Sequence, residues 1–130
     1  MHVFVYGSLR KGMHNYERYG LDNCEYLGNA TVDNLQLYDF GEFPAAIADT
    51  KATDLAGEIY KINKRRLAEL DILENYPHGY DRIQLDFGAM RPWIYFMIGR
   101  VGKGVPKIES NDWCKYVLEE KRYNLLPLYL

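Results

Sequence analysis

The residues His2-Val3-Phe4-Val5-Tyr6 form a short run of β-branched and aromatic side chains, and Gly7-Ser8-Leu9-Arg10-Lys11-Gly12 follow it directly. The run predicts the first strand of a sheet, and the glycine at its end predicts a turn. A glycine there allows a positive φ and a close approach of a ligand to the backbone. Consecutive amides in such a turn can bind a carboxylate or an oxyanion, and Ser8 adds a hydroxyl donor while Arg10 and Lys11 add positive charge. An ordinary turn at the end of a strand is the alternative, since the spacing of a P-loop is absent.

Clusters of Gly, Asn and Asp divide the rest of the chain into further strands and loops. Residues 12–23 contain several turn-forming residues, and we predict a loop with one helical turn there. Alternation of side chains and β-branched content predict the later strands. The predicted strands are 25–38, 43–47, 54–62, 80–87 and 93–98. The first of them is one long or one broken strand, and the second starts with a turn at Pro44. The last is apolar and is predicted to be buried.

Two helices are predicted. Asn63 can cap a helix over 64–75, and Ser110 or Asn111 can cap a second helix over 112–122. Many strands with two helices, and no regular alternation of strand and helix, indicate an α+β fold. A small mixed β-barrel with flanking helices is the most economical arrangement of these elements.

Length and composition exclude several classes of protein. The 130 residues, 48% hydrophobic and 26% charged, fit a single folded domain over 1–130. The formal net charge of −2 gives no basic surface for nucleic acid. No apolar run is long enough for a membrane helix, and no signal-peptide pattern is visible, so we expect a cytoplasmic protein. Cys24, Cys114 and the three histidines lack the spacing of a disulfide framework or a metal site, so no metal is expected.

Glu74 is the candidate general acid or base. At about 100° per residue, Leu67, Leu70 and Leu73 define one helix face, and Glu74 falls on that same apolar face. Burial of a carboxyl group raises its pKa, which suits proton transfer near neutral pH. Two other arrangements stay open, because Glu74 at a helix end can turn out into water or pair with Arg82.

Several aromatic side chains follow Glu74 along the chain. They are Tyr76, Tyr80, Trp93 and Tyr95. Tyrosines combine apolar area with a hydroxyl group, so these residues can form the walls of a polar pocket and supply donors. Ordinary core packing is the alternative.

Taken together and in this order, the segments resemble the γ-glutamylcyclotransferase-like superfamily, in its γ-glutamylamine cyclotransferase or AIG2-like branch. The resemblance covers roughly residues 2–100. It is carried by Tyr6-Gly7-Ser8-Leu9, Tyr26-Leu27-Gly28 to Phe43-Pro44-Ala45, Gly57-Glu58-Ile59-Tyr60, Leu70-Asp71-x-x-Glu74 with Tyr80-x-Arg82, and Trp93-Ile94-Tyr95. The chain departs from the family pattern at Pro92, where a small residue is expected, and at Asn75, where glycine is common. Both departures affect the expected shape of the pocket and leave Glu74 in place.

The resemblance implies a small β-barrel with flanking helices and a pocket beside the Tyr6–Leu9 loop. It also implies a γ-glutamyl amine or amide as the small-molecule substrate. The α-amino group of the substrate attacks its own γ-carbonyl, which releases 5-oxoproline and the free amine without a cofactor. Glu74 takes the catalytic role of general acid and base. The predicted substrate-binding residues are Tyr6, Gly7, Ser8, Leu9, Tyr80 and Tyr95.

Two functions of other classes stay open. One is a non-catalytic small-molecule-binding domain on the same scaffold, because a fold does not determine a function. The other is a hydrolase or acyltransferase that acts on a γ-glutamyl-capped metabolite. The sequence defines neither the leaving amine nor the oligomeric state.

Overall fold

A computed structural model describes residues 1–120 of the chain as a mixed α+β fold. The elements in order are β1 His2–Val5, β2 Glu25–Val32, β3 Leu35–Asp39, β4 Pro44–Ala48, β5 Leu55–Lys61, α1 Lys64–Leu73, β6 Asp81–Gln84, β7 Trp93–Phe96 and α2 Trp113–Lys115. A 3₁₀ turn at Leu21–Asn23 lies in the predicted loop 12–23, and a π-helical turn, Tyr116–Glu120, continues α2. The α+β class is therefore confirmed.

Five strands form one mixed sheet in the order β2-β5-β1-β7-β6. The first strand, β1, is its centre. It pairs antiparallel with β5, where Phe4 lies opposite Ile59, and parallel with β7, where Val3 lies opposite Trp93. The end of β1 therefore lies inside the molecule, and the turn that follows it starts from the middle of the sheet.

Both faces of this sheet are buried. Phe4 and Ile59 pack on one face with Leu37 of β3, whereas Val5 and Tyr60 pack on the other face against the buried side of α1. Within β5 and the residue after it, Leu55 and Ile59 thus enter one apolar cluster, and Tyr60 and Ile62 enter the other. The sheet is the middle layer, with the β3–β4 hairpin on one side and α1 on the other.

The predicted closed barrel is wrong for the part of the chain that the structure describes. Strands β3 and β4 pair only with each other in a two-stranded ladder. One isolated bridge, Ile47 to Met97, links that ladder to the residue after β7. The physical reason lies between β2 and β3, where Asn34 has a φ of 69° and turns the chain out of the first sheet. The segment 25–38 is therefore broken into two strands that belong to different sheets.

The helix predicted over 64–75 is confirmed as α1. The side-chain oxygen of Asn63 accepts a hydrogen bond from the Arg66 amide at 2.8 Å, which satisfies a free donor of the first turn. The helix ends at Leu73, and Asn75 adopts a left-handed φ of 53° just beyond it. This conformation gives a physical reason for a glycine at the same position.

The cap predicted for the second helix is wrong. Asp112, and neither Ser110 nor Asn111, accepts a hydrogen bond from the Lys115 amide at 3.2 Å. Asn111 is buried instead, and its side chain accepts from the amide of Leu37 and thereby ties this segment to β3. Residues 121–122 of the predicted helix lie outside the described residues.

The last two predicted strands are shorter than expected. The segment 80–87 contributes only Asp81–Gln84 to the sheet, and the segment 93–98 contributes Trp93–Phe96. Ile98 is 72% exposed, so the burial predicted for the end of that segment is wrong. Within residues 1–120, no helix has the length and apolar character needed to cross a membrane.

Candidate active site

One cleft contains the predicted catalytic residue and the six predicted substrate-binding residues. It lies where the end of β1, the start of β4 and the end of α1 meet. Its lining includes Tyr6, Gly7, Ser8, Leu9, Glu74, Tyr80 and Tyr95, together with Phe4, Val5, Phe43 and Pro44. The structure thus brings together predicted site residues as far apart in the chain as Tyr6 and Tyr95, which are separated by 89 positions.

The cleft has a narrow inner part and a wide outer part. The inner part has a free volume of about 40 Å³, and the outer part has about 380 Å³. Ser8, Phe43, Glu74 and Tyr80 line both parts and so form the boundary between them. The outer part adds residues that the sequence did not indicate: His14, Asn15, Glu42, Leu73, Asn75, Gly79 and Met97.

The turn after β1 lines the cleft and carries backbone donors that have no acceptor among the described residues. The amide of Arg10 donates to the carbonyl of Gly7 at 3.0 Å, which closes a four-residue turn with Ser8 and Leu9 at its corner. Among the described residues, none accepts a hydrogen bond from the amides of Ser8 and Leu9. The Ser8 hydroxyl accepts from the Asn15 side chain at 2.9 Å, so its own hydrogen is available to a ligand. Such a group of donors suits an anion.

Gly7 is required for a different reason from the one predicted. Its φ is not positive, so the expectation of a left-handed conformation is wrong. A Cβ atom at this position would lie 2.7 Å from Cγ of Pro44, well inside van der Waals contact. Pro44 therefore packs directly onto the backbone of the turn, and this contact forms one wall of the cleft.

Glu74 follows the last residue of α1 as its C-cap, and its side chain lies half-buried in the cleft. Burial raises the pKa of Glu74 from 4.5 to about 7. In the described part of the chain, no side chain or amide makes a hydrogen bond or an ion pair with this carboxylate. Its position in the cleft and its burial argue against the arrangement in which Glu74 turns out into open water.

Arg82, the other alternative for Glu74, has a partner of its own. Its guanidinium pairs with Asp71, with Nε to Oδ1 at 2.9 Å and Nη2 to Oδ2 at 3.3 Å. The same group stacks on the rings of Tyr76 and Trp93, at 4.5 and 4.2 Å from their centroids. The alternative in which Glu74 pairs with Arg82 is therefore wrong.

The three tyrosines of the cleft donate their hydroxyl hydrogens within the protein. Tyr6 donates to the carbonyl of Tyr95 at 2.7 Å, Tyr80 to the carbonyl of Pro44 at 2.7 Å, and Tyr95 to Asp71 at 2.6 Å. Burial raises the pKa of Tyr80, and the nearby charge of Glu74 adds to the effect. The three tyrosines are thus neutral walls of the cleft, and the expectation that Tyr80 and Tyr95 offer hydroxyl donors to a ligand is wrong. Tyr76 and Trp93 line neither part of the cleft and pack on Arg82 instead.

The positive charge expected beside the turn is not available to a ligand from Arg10. This side chain is buried and pairs with Glu58 at 2.8 Å and with Asp112 at 2.9 Å. Cys24 and Cys114 are free thiols. Residues 1–120 contain no group of three or more His, Cys, Asp or Glu residues that could hold a metal ion.

Comparison with known proteins identifies the family. Residues 3–115 match the family model described as gamma-glutamyl cyclotransferase, AIG2-like, and the chain belongs to this family. The match extends past the segment 2–100 that carried the resemblance and includes α2. The gamma-glutamylcyclotransferase family protein YtfP of Escherichia coli K12 is 38% identical over 115 residues, which cover 87% of this chain and 96% of YtfP.

Two solved structures are similar over most of the chain. A protein of Pyrococcus horikoshii superposes with a TM-score of 0.76 at 25% identity, covering 95% of this chain and 98% of its own. An AIG2-like protein of Mus musculus superposes with a TM-score of 0.70 at 27% identity, covering 83% of this chain and 85% of its own. The likeness therefore extends to the arrangement of the strands as well as to the sequence.

Proposed function

We propose that this chain is a cyclotransferase that acts on a γ-glutamyl amine or amide and releases 5-oxoproline and the free amine. Membership of the family supports the class of reaction. The observation that carries the role of Glu74 is its unpaired carboxyl group, whose pKa is raised to about 7, in a cleft that also contains free amides. A general base is most effective when its pKa lies near the working pH.

The first step forms the ring. Ionised Glu74 takes a proton from the α-ammonium group of the substrate, and the freed amine attacks the γ-carbonyl carbon. The nucleophile and the electrophile belong to one molecule, so holding the substrate in a folded conformation supplies much of the rate. No cofactor takes part in this step.

The second step expels the amine. The tetrahedral intermediate collapses, the bond between the γ-carbon and the leaving nitrogen breaks, and protonated Glu74 returns its proton to that nitrogen. The ring nitrogen loses its second proton, which the released amine takes up as it leaves as an ammonium ion. Glu74 therefore acts first as base and then as acid, and it ends the cycle ionised. The atoms of the substrate are divided between 5-oxoproline and the amine, and no water is consumed.

The turn after β1 binds the negative charge of the substrate. The amides of Gly7, Ser8 and Leu9 hold either the α-carboxylate or the oxyanion that develops on the γ-carbonyl oxygen. Tyr6, Tyr80 and Tyr95 form the surrounding walls. The wide outer part of the cleft, on the far side of Glu74, has room for the leaving amine.

The test is the product formed from a panel of γ-glutamyl amines, detected by mass spectrometry, with wild type and Glu74→Gln. We expect 5-oxoproline from the wild type and a loss of kcat of about 10²- to 10⁴-fold in Glu74→Gln. Glu69→Gln is the matched control, because Glu69 lies on the other side of α1 and pairs with Arg65 and Arg66. It should retain wild-type turnover.

Each other result identifies a different function. Release of glutamate instead of 5-oxoproline would indicate a hydrolase. Saturable binding without turnover would indicate a binding domain. If Glu74→Gln keeps more than about a tenth of kcat, Glu74 is not the group that transfers the proton.

A further inference from the structure

Glu58 of β5 is a buried carboxylate behind the turn of residues 7–10, and it does not line the cleft. Its Oε2 atom accepts a hydrogen bond from Nε of Arg10 at 2.8 Å. Its Oε1 atom accepts from the amide of Lys11 at 2.9 Å and from the hydroxyl of Tyr60 at 2.8 Å. One carboxylate therefore binds three donors, of which two belong to the residues that leave the turn.

The turn is held at both of its ends by residues of β5 or by pairing with them. At its entry, β1 runs into the turn from Val5, which lies directly opposite Glu58 in the ladder between β1 and β5. At its exit, Glu58 binds the Arg10 side chain and the Lys11 amide. Between these two ends, the amides of Gly7, Ser8 and Leu9 have no acceptor among the described residues.

We propose that Glu58 is a positioning residue that keeps the amides of Ser8 and Leu9 directed into the cleft. This inference rests on the proposed function, in which those amides bind the anionic group of the substrate. Oriented backbone donors stabilise a charge strongly only when they are already in place before the substrate arrives. A turn released from Glu58 would lose backbone freedom on each binding event, which weakens binding.

Asp112 provides a comparison within the same ion-pair network. Its Oδ1 atom accepts from Nη1 of Arg10 at 2.9 Å and from the amide of Lys115 at 3.2 Å. It therefore binds the arginine without binding the backbone of the turn. Asp112→Asn weakens the pairing of Arg10 and leaves the bond from the Lys11 amide to Glu58 intact.

The test measures 5-oxoproline binding by calorimetry and the order parameters of the Ser8 and Leu9 amides by ¹⁵N relaxation. Glu58→Gln keeps the size of the side chain and loses its charge. We expect its Kd for 5-oxoproline and its KM for a γ-glutamyl amine to rise about 10- to 100-fold, because a displacement of about 1 Å can cost that much. The two order parameters should fall below their wild-type values. The acid limb of kcat should stay at the wild-type pH.

Asp112→Asn should change the Kd by less than about threefold and leave the two order parameters unchanged. An unchanged Kd and unchanged order parameters in Glu58→Gln would overturn the proposal. An equal rise of the Kd in Asp112→Asn would overturn it as well, since the loss of affinity would then come from the weakened pairing of Arg10 alone. If Glu58→Gln does not fold, Glu58→Asp replaces it, because this variant keeps the charge and is too short to reach all three donors.

The proposed function can fail separately from this inference. A wild-type chain that neither binds 5-oxoproline nor releases it would refute the cyclotransferase. The order parameters of Ser8 and Leu9, measured without ligand, would then still decide whether Glu58 holds the turn.

Discussion

Replacement of Glu74 by glutamine should stabilise the folded chain above neutral pH and leave its stability almost unchanged near pH 4. Burial raises the pKa of Glu74 from 4.5 to about 7, so the folded chain favours the neutral carboxyl group. Between these two pH values the folded state binds more protons than the unfolded state, and the free energy of unfolding falls as pH rises. The stability that the neutral group provides is complete below pH 4.5 and is lost as pH rises through 7. Glutamine is neutral throughout.

The size of the effect follows from the two pKa values. At 1.36 kcal/mol per pH unit, the change from 4.5 to about 7 corresponds to about 3 kcal/mol for a fully ionised Glu74. The open side of the cleft admits water, which screens part of this cost. We therefore expect Glu74→Gln to have a free energy of unfolding about 1 to 3 kcal/mol above wild type at pH 8.

Urea unfolding at pH 4, 5, 6, 7 and 8 measures this difference directly. The difference in free energy of unfolding between wild type and Glu74→Gln should increase between pH 5 and pH 7 and stay constant above pH 7. Glu69→Gln removes a carboxylate of the same helix that already has cationic partners, so its gap to wild type should not widen over that range. A constant gap between Glu74→Gln and wild type at every pH would refute the reasoning, since Glu74 would then titrate as an ordinary carboxylate.

Three further results are expected. The acid limb of kcat/KM should have an apparent pKa near 7, because the ionised form of Glu74 accepts the proton, and a pH–rate profile with this limb near pH 4 would contradict the assignment. Arg82→Gln should move that acid limb to higher pH, because Asp71 would keep an uncompensated charge beside the cleft, and an unmoved limb would mean that this charge does not act on Glu74. The same variant should lower the free energy of unfolding, measured with urea, by about 2 to 4 kcal/mol. Gly7→Ala should lower the free energy of unfolding by about 1 to 3 kcal/mol, because the added methyl group would clash with Pro44, and the double variant with Pro44→Ala should recover part of this loss. A Gly7→Ala variant with the melting temperature of the wild type would show that no such clash occurs.

Features that depend on neighbours in the chain were predictable from the sequence. The cap at Asn63 and the apolar face with Leu67 and Leu70 follow from the geometry of one helix, which repeats every 3.6 residues. The same repeat places Glu74 on that face. The segment 54–62 likewise shows its two buried faces through simple alternation.

Features that depend on distant contacts were not predictable. The residues next to Arg82 in the chain do not indicate that it pairs with Asp71 instead of Glu74, because the partner depends on how β6 packs against the end of α1. The requirement for glycine at position 7 was not predictable for the same reason, since it comes from the contact with Pro44, 37 positions along the chain. The barrel prediction was wrong for a related reason. In the described part of the chain β3 forms a ladder only with β4, and the pattern within one strand does not define its partner strand.

The contrast of Glu74 with two paired carboxylates, Glu58 and Asp71, supports proton transfer over passive binding. Glu58 and Asp71 each have an arginine and a tyrosine hydroxyl as partners, whereas Glu74 has neither. An arginine within about 4 to 6 Å lowers the pKa of a carboxyl group by about 1 to 3 and would make Glu74 a weak base at neutral pH. The fold holds Arg82 on Asp71 and thereby keeps Glu74 unpaired. A carboxyl group kept in this state costs stability above pH 7, and a domain that only binds its ligand would gain nothing from that cost.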